Sequence, residues 1–225
     1  VEDCGAPTKA LGNQYLRYVS ALPDGRMFCY FGMAQAAMWI WDPEKKTWAE
    51  APETMRDTTW GVPFAGHFVA GQVAFAMPDG ARASALPFPA PPADGWHVDV
   101  PLSSPRRLIL RAGQRLWSFR PGESALTPLP DAPYPTGNVY AVGDDGTLYG
   151  VRGQDWFVAP PGKPALLRPI PGESGPRPTH FLEADDRGRV WGGPTFGQTL
   201  FYTDAATGKT VNTRTVSDHG GEVYD

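Results

Sequence analysis

The feature that most constrains this chain is a strand-turn-strand pattern that recurs along it. The clearest pair of copies runs from Ala70 to Pro89 and from Ala112 to Pro130, each with an apolar strand, a Pro/Gly turn and a second strand that ends in prolines. Three further copies begin at Met38, Asp155 and Thr199. The aromatic anchors of the copies follow one another at spacings of 36, 42, 40 and 44 residues and are Trp39, Phe75, Trp117, Phe157 and Phe201. Such a repeat predicts an array of similar units that bury these anchors between neighbours.

A second hairpin lies between consecutive copies. Its turns include Asp24-Gly25, Asp145-Gly146 and Arg187-Gly188, and Asp-Gly between alternating apolar residues is the strongest short-range hairpin signal. Each unit therefore has four short strands in about 41 residues, which is the arithmetic of a β-propeller blade. The 26 glycines and 25 prolines are close to twice the usual combined share of about 12%, which disfavours ordinary helices. We predict an all-β fold, a β-propeller of four-stranded antiparallel blades.

Five blades are visible in a single domain that spans residues 1–225, and we place them at 15–53, 54–94, 95–135, 136–177 and 178–217. Residues 218–225 start another blade or form a closing strand, because the last six residues, 220–225, repeat the pattern of residues 137–142. An open ring would expose a blade face and sheet edges. We therefore expect a piece of a six- to eight-bladed ring, completed by a missing segment or a second chain; a sealed five-bladed ring is the alternative.

Parts of the repeat resemble known propeller families. The copy MWIWDPEKKTW, with Asp42, Pro43 and Trp48, is similar to the end of a kelch repeat. The glycine-rich units with DDG or DRG turns resemble bacterial YVTN-type or lactonase-like propellers. No copy has the complete kelch motif of a double glycine followed by spaced Tyr and Trp. The resemblance extends over nearly the whole chain as a repeat pattern, and it implies a fold rather than an activity.

The first strand of each blade lines the central channel of a propeller, where ligands usually bind at one mouth. We place these strands at 15–20, 58–63, 96–100, 138–142, 181–184 and 222–225. Steps of 42 residues separate Trp96, Asn138, His180 and Glu222, so these four residues should lie side by side around the channel. Gln14 and either Arg56 or Asp57 hold comparable positions in the first two blades.

Asn, His and Glu at one mouth could hold a sugar, a carboxylate or a divalent ion. The predicted ligand-binding residues are Asn138, His180, Glu222, Trp96, Tyr140 and Arg56, and Trp60 is a further ring near an inner strand that could stack on a sugar. One histidine and one carboxylate suit Ca²⁺ or Mg²⁺ better than zinc, with Glu222 and Asn138 as candidate metal ligands. The same residues could instead be solvated channel residues and core aromatics.

We predict a protein that binds a polar small molecule or glycan at the channel mouth. One alternative is a lyase or lactone hydrolase in which His180 is the catalytic base and a divalent metal on Glu222 and Asn138 stabilises an enolate or polarises a carbonyl. Another is a protein-interaction scaffold that uses the Pro-rich loops at 87–92 and 160–178. Common nucleophile and phosphate-loop motifs are absent from the sequence. The carboxylate pairs at 144–145 and 185–186 fit hairpin turns.

Charge and cysteine content limit the partners. Twenty basic and 24 acidic residues give a net charge of −4 without a basic run, so nucleic acid is not an expected partner. Apolar stretches are too short for a transmembrane helix, so a membrane is not expected either.

Cys4 and Cys29 could form one disulfide or stay buried thiols. The start at Val1 permits a removed leader, and we expect an extracytoplasmic or secreted location.

Overall fold

The computed structural model describes residues 5, 7, 16–31, 37–55, 60–77, 79–133, 139–152, 155–169, 179–185, 187–194, 200–204, 207 and 209–213. Within these residues the regular elements are β-strands, apart from one 3₁₀ turn at Glu53–Met55. The chain divides into a first compact unit, residues 1–112 with 117–127, and a second unit, residues 113–116 with 128–225. None of the described helical segments is long or apolar enough to span a bilayer.

The first unit contains two antiparallel sheets and nearly all of a third. The first sheet has the order β1-β2-β3-β4, with strands Leu16–Ala21, Met27–Phe31, Ala37–Asp42 and Thr47–Glu50. The second sheet has the order β5-β6-β7, with strands Val62–Phe64, His67–Ala70 and Val73–Ala76. The third sheet pairs β8 to β11 in sequence order, with strands His97–Val98, Leu108–Ala112, Arg115–Phe119 and Thr127–Pro128.

The second unit contains the fourth and fifth sheets. The fourth sheet runs from β12 to β15, with strands Val139–Val142, Leu148–Arg152, Asp155–Ala159 and Leu166–Pro169. The fifth sheet runs from β16 to β19, with strands Thr179–Ala184, Arg189–Pro194, Phe201–Asp204 and Thr210–Asn212. Five up-and-down sheets in sequence order are the blade pattern of a propeller, and the predicted all-β fold class is confirmed. The single domain and the kelch, YVTN-type or lactonase-like family stay predictions.

The turns predicted from Asp and Gly are confirmed. They connect the first two strands of the first, fourth and fifth sheets, and Gly25, Gly146 and Gly188 have φ values of 87°, 86° and 75°. Glycine adopts this left-handed conformation without a side-chain clash. In the fourth sheet, Asp145 accepts the Thr147 backbone N–H at 2.9 Å and the Thr147 hydroxyl at 2.8 Å. A short polar side chain therefore closes the loop by local hydrogen bonds.

The aromatic anchors of the repeat all lie on the third strand of their sheets. Phe75, Trp117, Phe157 and Phe201 are buried as expected, whereas Trp39 is half-buried. Trp39 pairs with Cys29, which pairs with Val19, so these residues share one face of the first sheet. Val19 is 39% exposed, which shows that this face is only partly covered.

The second sheet is packed on both faces because its side chains alternate. Phe68 points to the first sheet, where its ring centroid lies 4.8 Å from that of Phe28 in a cluster with Met55 and Phe75. Phe64 belongs to a second cluster shared with the third sheet, with its centroid 5.9 Å from that of Phe119. Each fully buried aromatic or large aliphatic side chain contributes roughly 1.5–3 kcal/mol. Burial on both faces therefore stabilises the second sheet.

The second unit has a core of its own between its two sheets. Its buried residues are Ala141, Tyr149, Val151, Trp156, Val158, Val190 and Phe201. Trp156 is only 1% exposed and its indole N–H has no hydrogen-bond partner. The packing of this ring therefore has to offset the cost of a buried unpaired donor, about 1–3 kcal/mol.

The second sheet departs from the predicted four strands. After β7 the chain makes one bridge between Phe75 and Arg82, extended by hydrogen bonds from Ala76 to Ala81 and from Ala83 to Ala74. The residues that follow include Pro87, Pro89, Pro91 and Pro92, which have no N–H for a ladder. Phe88 is nevertheless buried against Trp96 and Phe119. The loop at 87–92 thus packs on the core.

Candidate functional site

Two pairs of first strands lie next to each other, whereas the first strand of the third sheet, β8, contacts β6. In the first unit β1 is beside β5, and in the second unit β12 is beside β16. Residues near the same ends of these strands are therefore neighbours in space. This is the placement that a shared ligand site on first strands needs.

The most exposed aromatic surface among the described residues lies where β1 meets the approach to β5. Tyr18 is in β1 and Trp60 precedes β5, and their rings stack with centroids 5.6 Å apart and planes 9° apart. Trp60 is 46% exposed, while Tyr18 is half-buried. Tyr18 covers one face of the indole and leaves a flat, solvent-facing ring. We call these two residues the aromatic platform.

Hydrogen bonds hold the Tyr18 ring of the aromatic platform in place. The Tyr18 hydroxyl donates to the carbonyl oxygen of Gly61. Burial raises the pKa of Tyr18, and a hydrogen bond with the Ser20 side chain opposes that increase. The phenol therefore stays neutral at physiological pH, and its hydroxyl is engaged within the protein. Tyr18 supports Trp60 through its ring.

Gly61, the residue after Trp60, lies in close contact with the core. A Cβ at this position would lie 2.6 Å from the Cζ atom of Phe68 and 2.7 Å from the carbonyl oxygen of Val69. Real side chains do not tolerate such distances, so the close approach requires glycine. Phe68 is fully buried. The residue that follows Trp60 is thus packed directly on the core, and the platform is preorganised.

Three of the five first strands, β1, β12 and β16, have a β-bulge near their start, whereas β5 and β8 pair without a register shift. Pairing passes from Leu16 with Phe31 to Tyr18 with Tyr30, which leaves Arg17 as the extra residue. The same two-against-one step leaves Tyr140 extra in β12 and His180 extra in β16. Bulges interrupt a ladder, re-aim side chains and are over-represented next to active sites.

The structure places some of the predicted site residues and not others. Asn138, Glu222 and Arg56, with Gln14 and Asp57, lie outside the described residues. His180 and Tyr140 are in the neighbouring strands β16 and β12, where only their backbones are described. Their juxtaposition agrees with a common site, whereas the role of each side chain stays a prediction.

Trp96 differs from the expectation of a ligand-facing ring. It is 9% exposed, packs edge to face on Phe88 and belongs to the core of the second and third sheets. Its carbonyl oxygen accepts a hydrogen bond from the Gln72 side chain. The Trp96 ring is thus a core residue, and Trp60 is the exposed tryptophan beside a first strand.

No family model matches the chain, and no curated protein matches it in sequence. Solved structures that match include the crystal structure of Kluyvelomyces marxianus Hsv2, with 12% sequence identity and a TM-score of 0.47. That alignment covers 86% of this chain and 59% of the other chain, so this chain spans less than two thirds of the length of that protein.

Carboxylates in the described turns have structural partners. Asp185 accepts hydrogen bonds from the backbone of Arg187 and Arg189, the Arg189 guanidinium and the Trp191 indole, at 2.6 to 2.9 Å. Desolvation raises its pKa, but hydrogen bonds from Trp191 and Arg189 outweigh it and hold the pKa far below its ordinary value. Asp185 therefore stabilises a turn, as its sequence position predicts.

The candidate metal ligands and the two cysteines are only partly covered by the described part of the chain. There, no three His, Cys, Asp or Glu side chains are grouped closely enough to hold an ion. The Ca²⁺ or Mg²⁺ expected on Asn138 and Glu222 stays a prediction, because both residues lie outside that part. Cys29 is buried in β2, whereas Cys4 lies outside the described residues. The choice between one disulfide and two buried thiols therefore stays a prediction.

Sequence reasoning did not identify Tyr18, Gly61 or Arg17. Tyr18 and Arg17 lie inside the predicted first strand, but local sequence does not show which ring from the next blade will cover a tyrosine. A glycine before an apolar strand is a weak sign of close backbone approach. The bulge has no sequence signal of its own here, since it is defined by the partner strand.

Proposed function

We propose that this protein binds a polar small molecule or a glycan on the first-strand surface that carries the aromatic platform. One observation supports this most strongly: Trp60 is 46% exposed although it is stacked on Tyr18. A large ring that served only packing would be turned into the core, as Trp96 is. Trp60 instead presents one flat face to solvent on a support that is fixed by Gly61 and Phe68.

The geometry favours a ligand with an apolar face and polar edges. An indole offers a large contact area at low entropic cost, and its partners prefer to lie parallel to its face. Pockets for such ligands combine aromatic walls with a few polar groups that fix orientation. Within the described residues, Trp60 stacks with Tyr18 and with no third ring, so the platform is a single open surface rather than an aromatic cage for a cation.

The platform can be tested by ligand screening followed by calorimetry. The wild-type protein is screened on a glycan array and by thermal shift against a panel of polar metabolites, and any ligand is then titrated against Trp60→Ala. We expect Trp60→Ala to weaken binding at least about fivefold, because a stacked ring contributes on the order of 1–3 kcal/mol. Leu167→Ala, which removes an apolar side chain that is 50% exposed on β15, is the control and should bind like the wild type.

A ligand that binds Trp60→Ala and wild type equally would contradict the proposed site. The absence of any ligand from both screens would contradict the binding function itself.

A further inference from the structure

We infer that one face of the first sheet is a docking surface for a second copy of this chain. It is the face that carries Leu16, Val19 and Met27 together with the residues that pair with them across the sheet, and it is called the apolar face below. Tyr18 of the aromatic platform lies on the opposite face, where it packs against the cluster around Phe28. The contact is therefore separate from the proposed ligand site.

Exposed apolar side chains of the first unit are concentrated on the apolar face. Among the described residues of this unit, four large apolar side chains are exposed, and three of them are Leu16, Val19 and Met27, at 51%, 39% and 36%. The fourth is Trp60, which precedes β5. None of the four lies in a strand of the second sheet, which packs on both neighbouring sheets. Contiguous exposed apolar surface of this kind marks an interaction site.

The strand register gives the apolar face a low half and a raised half. Two rows of paired residues cross all four strands, one formed by Ala21, Met27, Trp41 and Trp48 and the other by Val19, Cys29, Trp39 and Glu50. In both rows, β1 and β2 carry small or slender side chains. The strands β3 and β4 carry three tryptophans, of which Trp48 packs on Trp41 with ring centroids 5.1 Å apart.

These two halves make the apolar face complementary to itself. A two-fold axis that runs parallel to the strands, midway between two copies, places β1 of one copy over β4 of the other and β2 over β3. The tryptophans of each copy then fill the low half of the other, which is the self-complementarity that a two-fold interface requires. Sheets packed face to face lie about 10 Å apart. Because this axis keeps the rows aligned, Val19 of one copy lies opposite Glu50 of the other.

The composition of the two rows also fits an interface between copies. Tryptophan and methionine are enriched at interface cores, and charged residues are depleted there. Glu50 is the only charged residue in the two rows, and it is on the edge strand β4. The charge therefore lies at the rim of the contact rather than at its centre.

The size of the face determines how strong the contact can be. Four strands about 4.8 Å apart and about five residues long, at about 3.3 Å per residue, give a face of roughly 300 Å². A stable complex buries about 800 Å² on each partner. We therefore expect a weak dimer, which forms at high protein concentration and dissociates on dilution.

Sedimentation equilibrium of the whole chain, from about 10 µM to about 1 mM, covers the concentrations at which a weak dimer forms. The average mass of the wild type should rise with concentration from that of the monomer towards twice that value. Val19→Glu should abolish the rise, because it places a carboxylate in an apolar contact and opposite Glu50 of the other copy. Val19→Glu combined with Glu50→Lys should restore at least part of it, since opposite charges then face each other.

Leu167→Glu is the matched control, because Leu167 is 50% exposed on β15 of the second unit. It should associate like the wild type. Met27→Glu repeats the disruption at a second exposed position of the apolar face, which covers the case in which Val19→Glu does not fold. Far-UV circular dichroism shows whether each variant keeps its β structure.

A wild-type mass that stays monomeric over the whole concentration range would overturn the inference. A rise in mass that persists in both Val19→Glu and Met27→Glu would place the contact elsewhere on the molecule and overturn it as well, as would an equal loss in Leu167→Glu. If Val19→Glu with Glu50→Lys stays monomeric while Leu167→Glu dimerises, the two-fold arrangement with Val19 opposite Glu50 is wrong.

Discussion

At the scale of single residues, Asp185 shows how one carboxylate organises a turn. It accepts hydrogen bonds from two backbone N–H groups and from the side chains of Arg189 and Trp191. The Arg189 guanidinium also lies 4.9 Å from the Trp191 ring centroid and 5.2 Å from that of Tyr202. The charge on Asp185 therefore holds β17 and its neighbour β18 in register through a stacked arginine.

This arrangement predicts a dependence of stability on pH. The pKa of Asp185 is lower in the folded protein than in the unfolded chain, so its ionised form stabilises the fold above the ordinary Asp pKa of about 3.9. The stabilisation should be lost as the pH falls from there through the lowered folded-state value. Urea unfolding of wild type and Asp185→Asn between pH 7 and pH 2 measures it: the variant should be less stable at pH 7, and its stability should fall less with acid.

Asp79→Asn is the control for this measurement, because Asp79 makes one long contact of 3.5 Å to the Ala81 N–H. If the free energy of unfolding changed with pH in the same way for wild type and Asp185→Asn, the stabilising role of the ionised Asp185 side chain would be contradicted.

At the scale of elements, β8 is only two residues long and needs help to stay paired with β9. Asp99 directly follows it and is 7% exposed, and the Nε atom of Arg111 on β9 donates to its carboxylate at 2.6 Å. Ser103 adds a hydroxyl that donates to the Asp99 carbonyl oxygen at 2.7 Å and accepts the Ile109 N–H at 2.9 Å. These side-chain hydrogen bonds thus add to the few backbone hydrogen bonds between β8 and β9.

Arg111→Met should lower the free energy of unfolding by about 3–5 kcal/mol, because it leaves a buried carboxylate without its partner. The double variant Asp99→Leu with Arg111→Met should recover much of that loss, since no buried charge remains. Lys45→Met breaks the exposed pair with Asp42 and should lower the free energy of unfolding far less, because solvent screens an exposed ion pair. Guanidinium unfolding measures all three, and equal losses for Arg111→Met and Lys45→Met would show that β8 does not depend on the pair.

Sequence periodicity predicted most elements because it reflects local chemistry. Asp-Gly turns identified hairpins that the structure confirms, and the anchor spacing located the third strand of every sheet. The missing fourth strand of the second sheet could have been inferred from the prolines at 87, 89, 91 and 92, which lack N–H groups. The bulges at Arg17, Tyr140 and His180 could not, because a bulge depends on which residue of the partner strand each residue faces.

At the scale of the whole molecule, the repeat predicted where a site should lie better than which residues form it. The first strands β1 and β5 are neighbours in the first unit, and β12 and β16 are neighbours in the second, as the repeat implies. The choice between Trp96 and Trp60 depended on contacts with other blades: Phe88 covers the first ring, whereas Tyr18 stacks on the second and leaves it exposed. Such contacts join residues far apart in sequence, and local patterns do not encode them.

Trp60 is the ring on which we propose that the ligand stacks. The chain has 8 tryptophans, and each indole N–H gives one resonance in a ¹H–¹⁵N spectrum, which Trp60→Phe and Trp156→Phe assign. Titration with a ligand found in the glycan or metabolite screen should shift the Trp60 resonance and leave the buried Trp156 resonance in place. An unmoved Trp60 resonance at saturating ligand, or shifts confined to other indoles, would contradict the claim.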